Sequence, residues 1–178
     1  RIVAQKVSFF KNFIEFEKTT ISNRSVKLFT LNGLYNATKL LLGKIEYPDT
    51  HIADACMFWE LLGEHLPEWQ KHALGEITSS TLRQNYLSGH NIFINAVATA
   101  ANMAAKNGLT VQEIITIISK ECWRRDNPQW EGRALQNGRI TKSNISLLLT
   151  VNVLKSRLHL ELNENEAKAE SSLHTNKG

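Results

Sequence analysis

The chain has 178 residues, which is enough for one domain with a sizeable buried core. Its 42% hydrophobic and 21% charged residues are ordinary for a globular protein, and no stretch approaches the roughly 20 apolar residues of a membrane span. The sequence therefore predicts no membrane span, and we expect a cytoplasmic protein. The first residues, RIVAQKVSFF, show neither an initiator Met nor a signal peptide, so we expect a piece of a longer chain.

The net charge of +4 is concentrated in one segment. Residues 120–157 carry 8 Lys and Arg against 3 Asp and Glu, which gives +5. Residues 1–119 carry 11 against 10, and residues 158–178 carry 2 against 4. A cationic segment within a nearly neutral chain indicates a polyanionic partner more strongly than the total charge does.

The first half of the chain has the apolar spacing of helices. Thr30 caps a predicted helix that Gly43 ends. A second predicted helix, THIADACMFWELLGEHL, has Asp49 or Thr50 as its cap, and Pro67 begins a third, short one. The preceding segment, VSFFKNFIEFEKTTI, fits either a helix or a short extended arm.

The longest apolar repeat predicts a central helix over Ser79–Asn107, whose Ala-rich second half lets neighbouring helices approach closely. Thr110 and Glu113 then have the spacing of a capping box. Thr141 or Ser143 begins the last predicted helix. The pattern predicts an all-α fold, a helical bundle around a long central helix with an ordered loop rich in Trp and Arg.

The domain is expected to span residues 1–162. From Asn163 the chain is polar, NENEAKAESSLHTNKG, and we expect residues 163–178 to form a disordered tail. Internal repeats are absent from the sequence.

The sequence contains no motif that predicts catalysis. It has no Gly-rich phosphate loop, HExxH or GxSxG motif, so we expect no catalytic residue, cofactor or metal in this chain. Cys56 and Cys122 lie far apart without metal-ligand spacing, and we expect buried, reduced thiols.

Histidines occur at two places where a site is conceivable. His90 lies beside the apolar stripe of the central helix, where a hydrogen-bonded core residue is the commoner role, and Arg83 on the same face would make an anion site with it. A second group of His and Glu residues flanks Pro67. Because Pro67 interrupts the helix between them, they do not share one metal-binding face, and we expect a solvated corner. Its members are Glu64, His65, Glu68 and His72.

The segment RRDNPQWEGRALQNGRITKS, residues 124–143, is the strongest functional signal. It admits two readings, an ordered clamp whose arginines pair with Asp126 and Glu131, or a surface that presents arginines to phosphates. Trp123 and Trp130 would hold the loop in either case. The predicted nucleic-acid-binding residues are Arg124, Arg125, Arg133, Arg139 and Lys142, with Arg83 and Lys155 at the margin.

Several separated motifs resemble one family in the same order. WRRDNPQW fits a W-x-R-x-N-x-x-W run, and a Gly-Arg, a Lys-Ser and the closing KSRLHL follow it. Upstream, RSVKLFTLNGLY, FWELLGEHLPEWQ and LRQNYLSGH are similar too. Over about residues 20–162 the chain resembles the carboxyl-terminal region of the DndB family of DNA sulfur modification (phosphorothioation) proteins, without the Asp-Gly-Gln-His-Arg motif of the family's amino-terminal domain.

The resemblance implies a DNA-binding repressor of the phosphorothioation genes, with their promoter region as the DNA partner and a role in bacterial defence. Two other functions remain open, a scaffold that docks other modification proteins, and part of a nucleotide-hydrolysing enzyme whose active site lies outside this chain. No membrane partner is expected, and a homo-oligomer is left open.

Overall fold

The computed structural model describes residues 1–43 and 51–176. Over these residues the chain is mostly helical, with two small two-stranded pairings, which confirms the predicted all-α class. The helices are α1 Ile2–Lys6, α2 Leu31–Leu42, α3 Ile52–His65, α4 Pro67–Ala73, α5 Ser79–Asn85, α6 Asn91–Lys106, α7 Val111–Lys120, α8 Asn144–Arg157 and α9 Glu164–Asn176. The strands are β1 Ile14–Glu15, parallel to β2 Phe29–Thr30, and β3 Leu135–Gln136, antiparallel to β4 Arg139–Ile140.

Helix α6 is the centre of the bundle and packs against α2, α7 and α8. Ala96, Ala100 and Ala104 are fully buried along it. Small side chains at this spacing lie on one face and let the neighbouring helices come close. The predicted Ala-rich core helix is therefore confirmed.

The predicted single helix over Ser79–Asn107 is wrong, because the chain breaks between α5 and α6. Tyr86 is extended and pairs with Arg124 in an isolated antiparallel bridge. The Leu87 N–H donates to the Trp123 carbonyl at 2.8 Å, and the Arg125 N–H donates to the Asn85 carbonyl at 2.8 Å. These bonds replace helical bonds that the local sequence would otherwise make.

Helix caps agree with the sequence where the structure describes them. The Thr30 and Ser143 side chains accept N–H bonds at the starts of α2 and α8. Thr110 and Glu113 form the predicted capping box of α7. The alternative cap Thr141 lies outside α8, and the predicted caps at Asp49 and Thr50 lie outside the described residues.

The amino-terminal segment is an arm folded onto the core rather than one helix. Phe9 and Phe10 are buried against Trp69, and Phe9 stacks on the indole at 4.2 Å between ring centroids. The β1–β2 pairing ties the arm to the start of α2. All four tryptophans are buried, as their predicted role as packing anchors requires.

The expected solvated corner around Pro67 is only half correct. Glu64 and His65 are exposed, but Glu68 and His72 are buried. The Ser88 hydroxyl donates to Glu68 at 2.7 Å, and His72 Nε2 lies 2.7 Å from the Ser79 hydroxyl. Helix α4 begins at Pro67 and turns these two side chains inward.

The predicted disordered tail is helical from Glu164 to Asn176. Asn163 and Glu166 exchange two hydrogen bonds of 2.9 Å between side chain and backbone, which form a capping box at the start of α9. Helix α9 then packs on α8 and brings Glu166 to the ammonium of Lys155. A polar helix is held here by a cap and an ion pair rather than by an apolar face.

Candidate nucleic-acid interface

The two tryptophans of residues 123–143 hold this segment against the core. Their indoles stack at 4.8 Å between ring centroids, and Phe93 of α6 packs edge-on against Trp123. The Trp123 indole N–H donates to the Ile118 carbonyl, and that of Trp130 donates to the Cys122 carbonyl. The predicted ordered loop is confirmed. The expectation of two buried thiols is wrong, because Cys122 is exposed and Cys56 is half-buried.

A hairpin forms the outer end of the segment. Strands β3 and β4 are joined by Asn137 and Gly138, both with positive φ, as a two-residue hairpin turn requires. The Glu131 carboxylate accepts hydrogen bonds from the N–H groups of both turn residues. The turn leaves Arg139 exposed at the start of β4.

Arg124 and Arg125 lie at the bridge that breaks the central helix. Arg124 is exposed, its guanidinium lies 5.6 Å from the Tyr86 ring, and it donates to both carboxylate oxygens of Asp126. Arg125 donates to the carbonyls of Arg83 and Gly138 at 2.9 and 2.8 Å. Both guanidinium groups are thus fixed in orientation at the protein surface.

Arg139 and Lys142 are exposed cations close to the start of α8. Within the described part of the chain, neither side chain has an ion pair or a hydrogen-bond acceptor. Lys142 directly precedes Ser143, the cap of α8. It is therefore next in sequence to the first helical turn, whose amide groups carry partial positive charge. We call Arg124, Arg125, Arg139 and Lys142 the basic surface.

Three of the predicted contact residues are used inside the protein instead. Arg83 is nine-tenths buried and bonds backbone carbonyls of residues 23–27. Arg133 donates to Glu170 of α9 through both terminal nitrogens. Lys155 bonds Glu166 at 2.6 Å, with side chains only 6% and 8% exposed.

Helix α9 therefore supplies counter-ions that sequence reasoning missed. Glu166 and Glu170 lie 11 and 37 residues from their partners, so no local pattern connects them. The hydrogen bonds from Arg133 lower the pKa of Glu170 below its ordinary value. Asn163 and Glu166 did have capping-box spacing, which was the available signal for a helix here.

Neither a metal site nor a membrane span is found within residues 1–43 and 51–176. No group of three or more His, Cys, Asp or Glu side chains there could hold a metal ion. No helix in the same ranges is long and apolar enough to cross a membrane.

The profile of one protein family, DndB, described as DNA-sulfur modification-associated, matches residues 1–161. That match covers the basic surface and the helical core beneath it. The chain belongs to the DndB family. No curated protein and no solved structure matches the chain. The family is associated with DNA sulfur modification, and the helical fold described above is the one that this member adopts.

Proposed function

We propose that this domain binds duplex DNA through the basic surface, as part of a repressor of the genes for DNA phosphorothioate modification. The observation that carries the proposal is the exposure of Arg139 and Lys142 beside Arg124 and Arg125 on an ordered segment. Family membership supports the link to DNA sulfur modification. The charge and the geometry support contact with phosphates.

Rigid presentation favours binding because ordering a long side chain has an entropic cost. The guanidinium of Arg125 is already held by two carbonyls, and that of Arg124 lies over Tyr86. A guanidinium can donate two parallel hydrogen bonds to one phosphate. Asp126 offsets part of the charge of Arg124, so Arg139 and Lys142 carry most of the expected attraction.

The expected mode of binding is phosphate contact without base readout. Phosphate contacts fix the position of a protein on the duplex but carry no sequence information. We therefore expect this domain alone to bind duplexes of different sequence with similar affinity. Choice of a promoter would then need contacts other than those of the basic surface.

Fluorescence anisotropy of labelled duplexes against salt concentration tests the proposal. If about four cations each neutralise one phosphate, the logarithm of affinity falls against the logarithm of salt with a slope of roughly −3 to −4. The same titration with phosphorothioate linkages in the duplex measures any preference for modified DNA. If the domain is instead a scaffold that docks other modification proteins, it should not bind the duplexes even at low salt.

A further inference from the structure

A cleft of about 460 Å³ lies between the first turns of α6 and α8, beside the basic surface. Residues 19–21 and Asn23 form part of its wall. Its lining includes three cationic or titratable side chains, Arg83, His90 and Lys142, and no described Asp or Glu. The volume falls in the range of sites that enclose small ligands.

Arg83 is a buried cation with no counter-ion in the described structure. It is 9% exposed, and its two terminal nitrogens donate to the carbonyls of Asn23, Ser25 and Lys27 at 2.6–2.8 Å. Among the described residues, its Nε has no acceptor and its guanidinium forms no ion pair. Buried charges are normally paired, so an anion in the cleft would supply the missing partner.

Backbone amides at the start of α6 add donors of the same kind. His90 caps α6 without a side-chain hydrogen bond, and the N–H groups of Asn91 and Ile92 have no acceptor in the ranges described. Both residues line the cleft, as does Asn144 in the first turn of α8. The partial positive charges of two helix starts therefore face one cavity.

Two further polar groups fit a ligand with both an anionic and a neutral end. His90 donates from Nε2 to the Arg83 carbonyl at 2.8 Å, and burial, with the nearby cations Arg125, Arg83 and Lys142, lowers the pKa of its imidazole. Asn95 also lines the cleft, and its buried Oδ1 has no donor in the described part of the chain. An amide oxygen accepts hydrogen bonds from hydroxyl or amino groups.

We propose that this cleft binds a phosphate monoester of nucleotide size, with the phosphate near Arg83 and the amides of α6. The cleft shares Lys142 with the basic surface, and its other lining residues lie outside that surface. Its ligand is a small molecule and not duplex DNA. This goes beyond the proposed function, which needs no ligand in the cleft.

The probes are inorganic phosphate and adenosine 5′-monophosphate, each titrated by calorimetry and by NMR of the His90 imidazole. Binding should raise the pKa of His90, because a nearby anion favours the imidazolium. Asn144→Asp should weaken both ligands by about tenfold or more, since it places a carboxylate in the cleft. An acidic residue in the first turn of a helix is also favourable for folding.

Asn36→Asp is the matched control, because Asn36 is exposed on α2 and does not line the cleft. It should leave the affinity for both probes unchanged. Asn95→Asp is the second cleft variant, and circular dichroism with thermal melting establishes that each variant folds.

The proposal is overturned if neither probe gives a saturable shift of His90, or if Asn36→Asp weakens binding as much as Asn144→Asp does. It is also overturned if duplex DNA displaces the nucleotide and Asn144→Asp weakens both equally, because the cleft would then belong to the DNA surface. If the unchanged protein binds the nucleotide but not the duplex, only the proposed function is contradicted. Intact duplex binding without nucleotide binding would contradict only this inference.

Discussion

Replacing Glu166 by Gln should destabilise the carboxyl-terminal part of the domain. The change keeps a side chain that can form the capping box with Asn163 but removes the negative charge beside Lys155. Both side chains of the pair are more than nine-tenths buried. Breaking such a pair by removing one partner typically costs about 3–5 kcal/mol. This is a large share of the roughly 5–15 kcal/mol that stabilises an ordinary domain.

The loss of unfolding free energy in Glu166→Gln has an upper limit. If α9 detaches, Lys155 regains water, so the cost cannot exceed the free energy that docks α9 on α8. Urea denaturation should therefore show a lower unfolding free energy, and hydrogen exchange should show faster exchange in α9 than in α6. Exchange in the α6 core should change little if detachment is local.

Glu164→Gln is the control, because Glu164 is exposed in the first turn of the same helix. A second test combines Lys155→Met with Glu166→Gln, which removes both charges and should restore most of the stability. If the unfolding free energy of Glu166→Gln lies within about 0.5 kcal/mol of that of the unchanged protein, the buried ion pair does not hold α9 and the prediction is wrong.

Two further predictions concern the segment that carries the basic surface. Trp130→Ala should lower the unfolding free energy by about 3–5 kcal/mol and release the hairpin, because it removes a fully buried indole stacked on Trp123. Urea denaturation measures the loss of unfolding free energy, and a stability equal to that of the unchanged protein would contradict the prediction. The pairing of Glu170 with Arg133 lowers the pKa of that carboxyl below 4.5, so its stabilising effect is present above pH 4.5 and is lost as the pH falls through the lowered value. Denaturation between pH 6 and 3 should show this loss in the unchanged protein and less of it in Glu170→Gln, and equal pH dependence in both would refute it.

Local features of the fold could be predicted from the sequence because neighbouring residues determine them. Thr30, Ser143 and the Thr110–Glu113 pair each bond N–H groups within three residues, so their spacing alone indicates a helix start. The Ala-rich face of α6 and the Asn137-Gly138 turn are local in the same sense.

Features set by distant residues could not be predicted. The break before α6 depends on hydrogen bonds from residues 85–87 to residues 123–125, which no local propensity contains. Which cations are exposed also depends on distant residues, since Arg133 and Lys155 form ion pairs with glutamates of α9. Counting charges along residues 120–157 therefore overestimates the cationic surface, and only the folded structure separates exposed cations from paired ones.

The proposal that the basic surface binds DNA is tested most directly by the salt dependence of duplex binding to Arg139→Ala/Lys142→Ala. Lys39→Ala/Lys106→Ala is the matched control, because it removes the same charge at exposed positions on α2 and at the far end of α6. If the basic surface contacts phosphates, the first double variant binds every duplex more weakly and its slope against the logarithm of salt flattens by about two, while the control keeps the slope of the unchanged protein. If both double variants lose affinity equally and keep that slope, the contact lies elsewhere and the segment is a structural clamp.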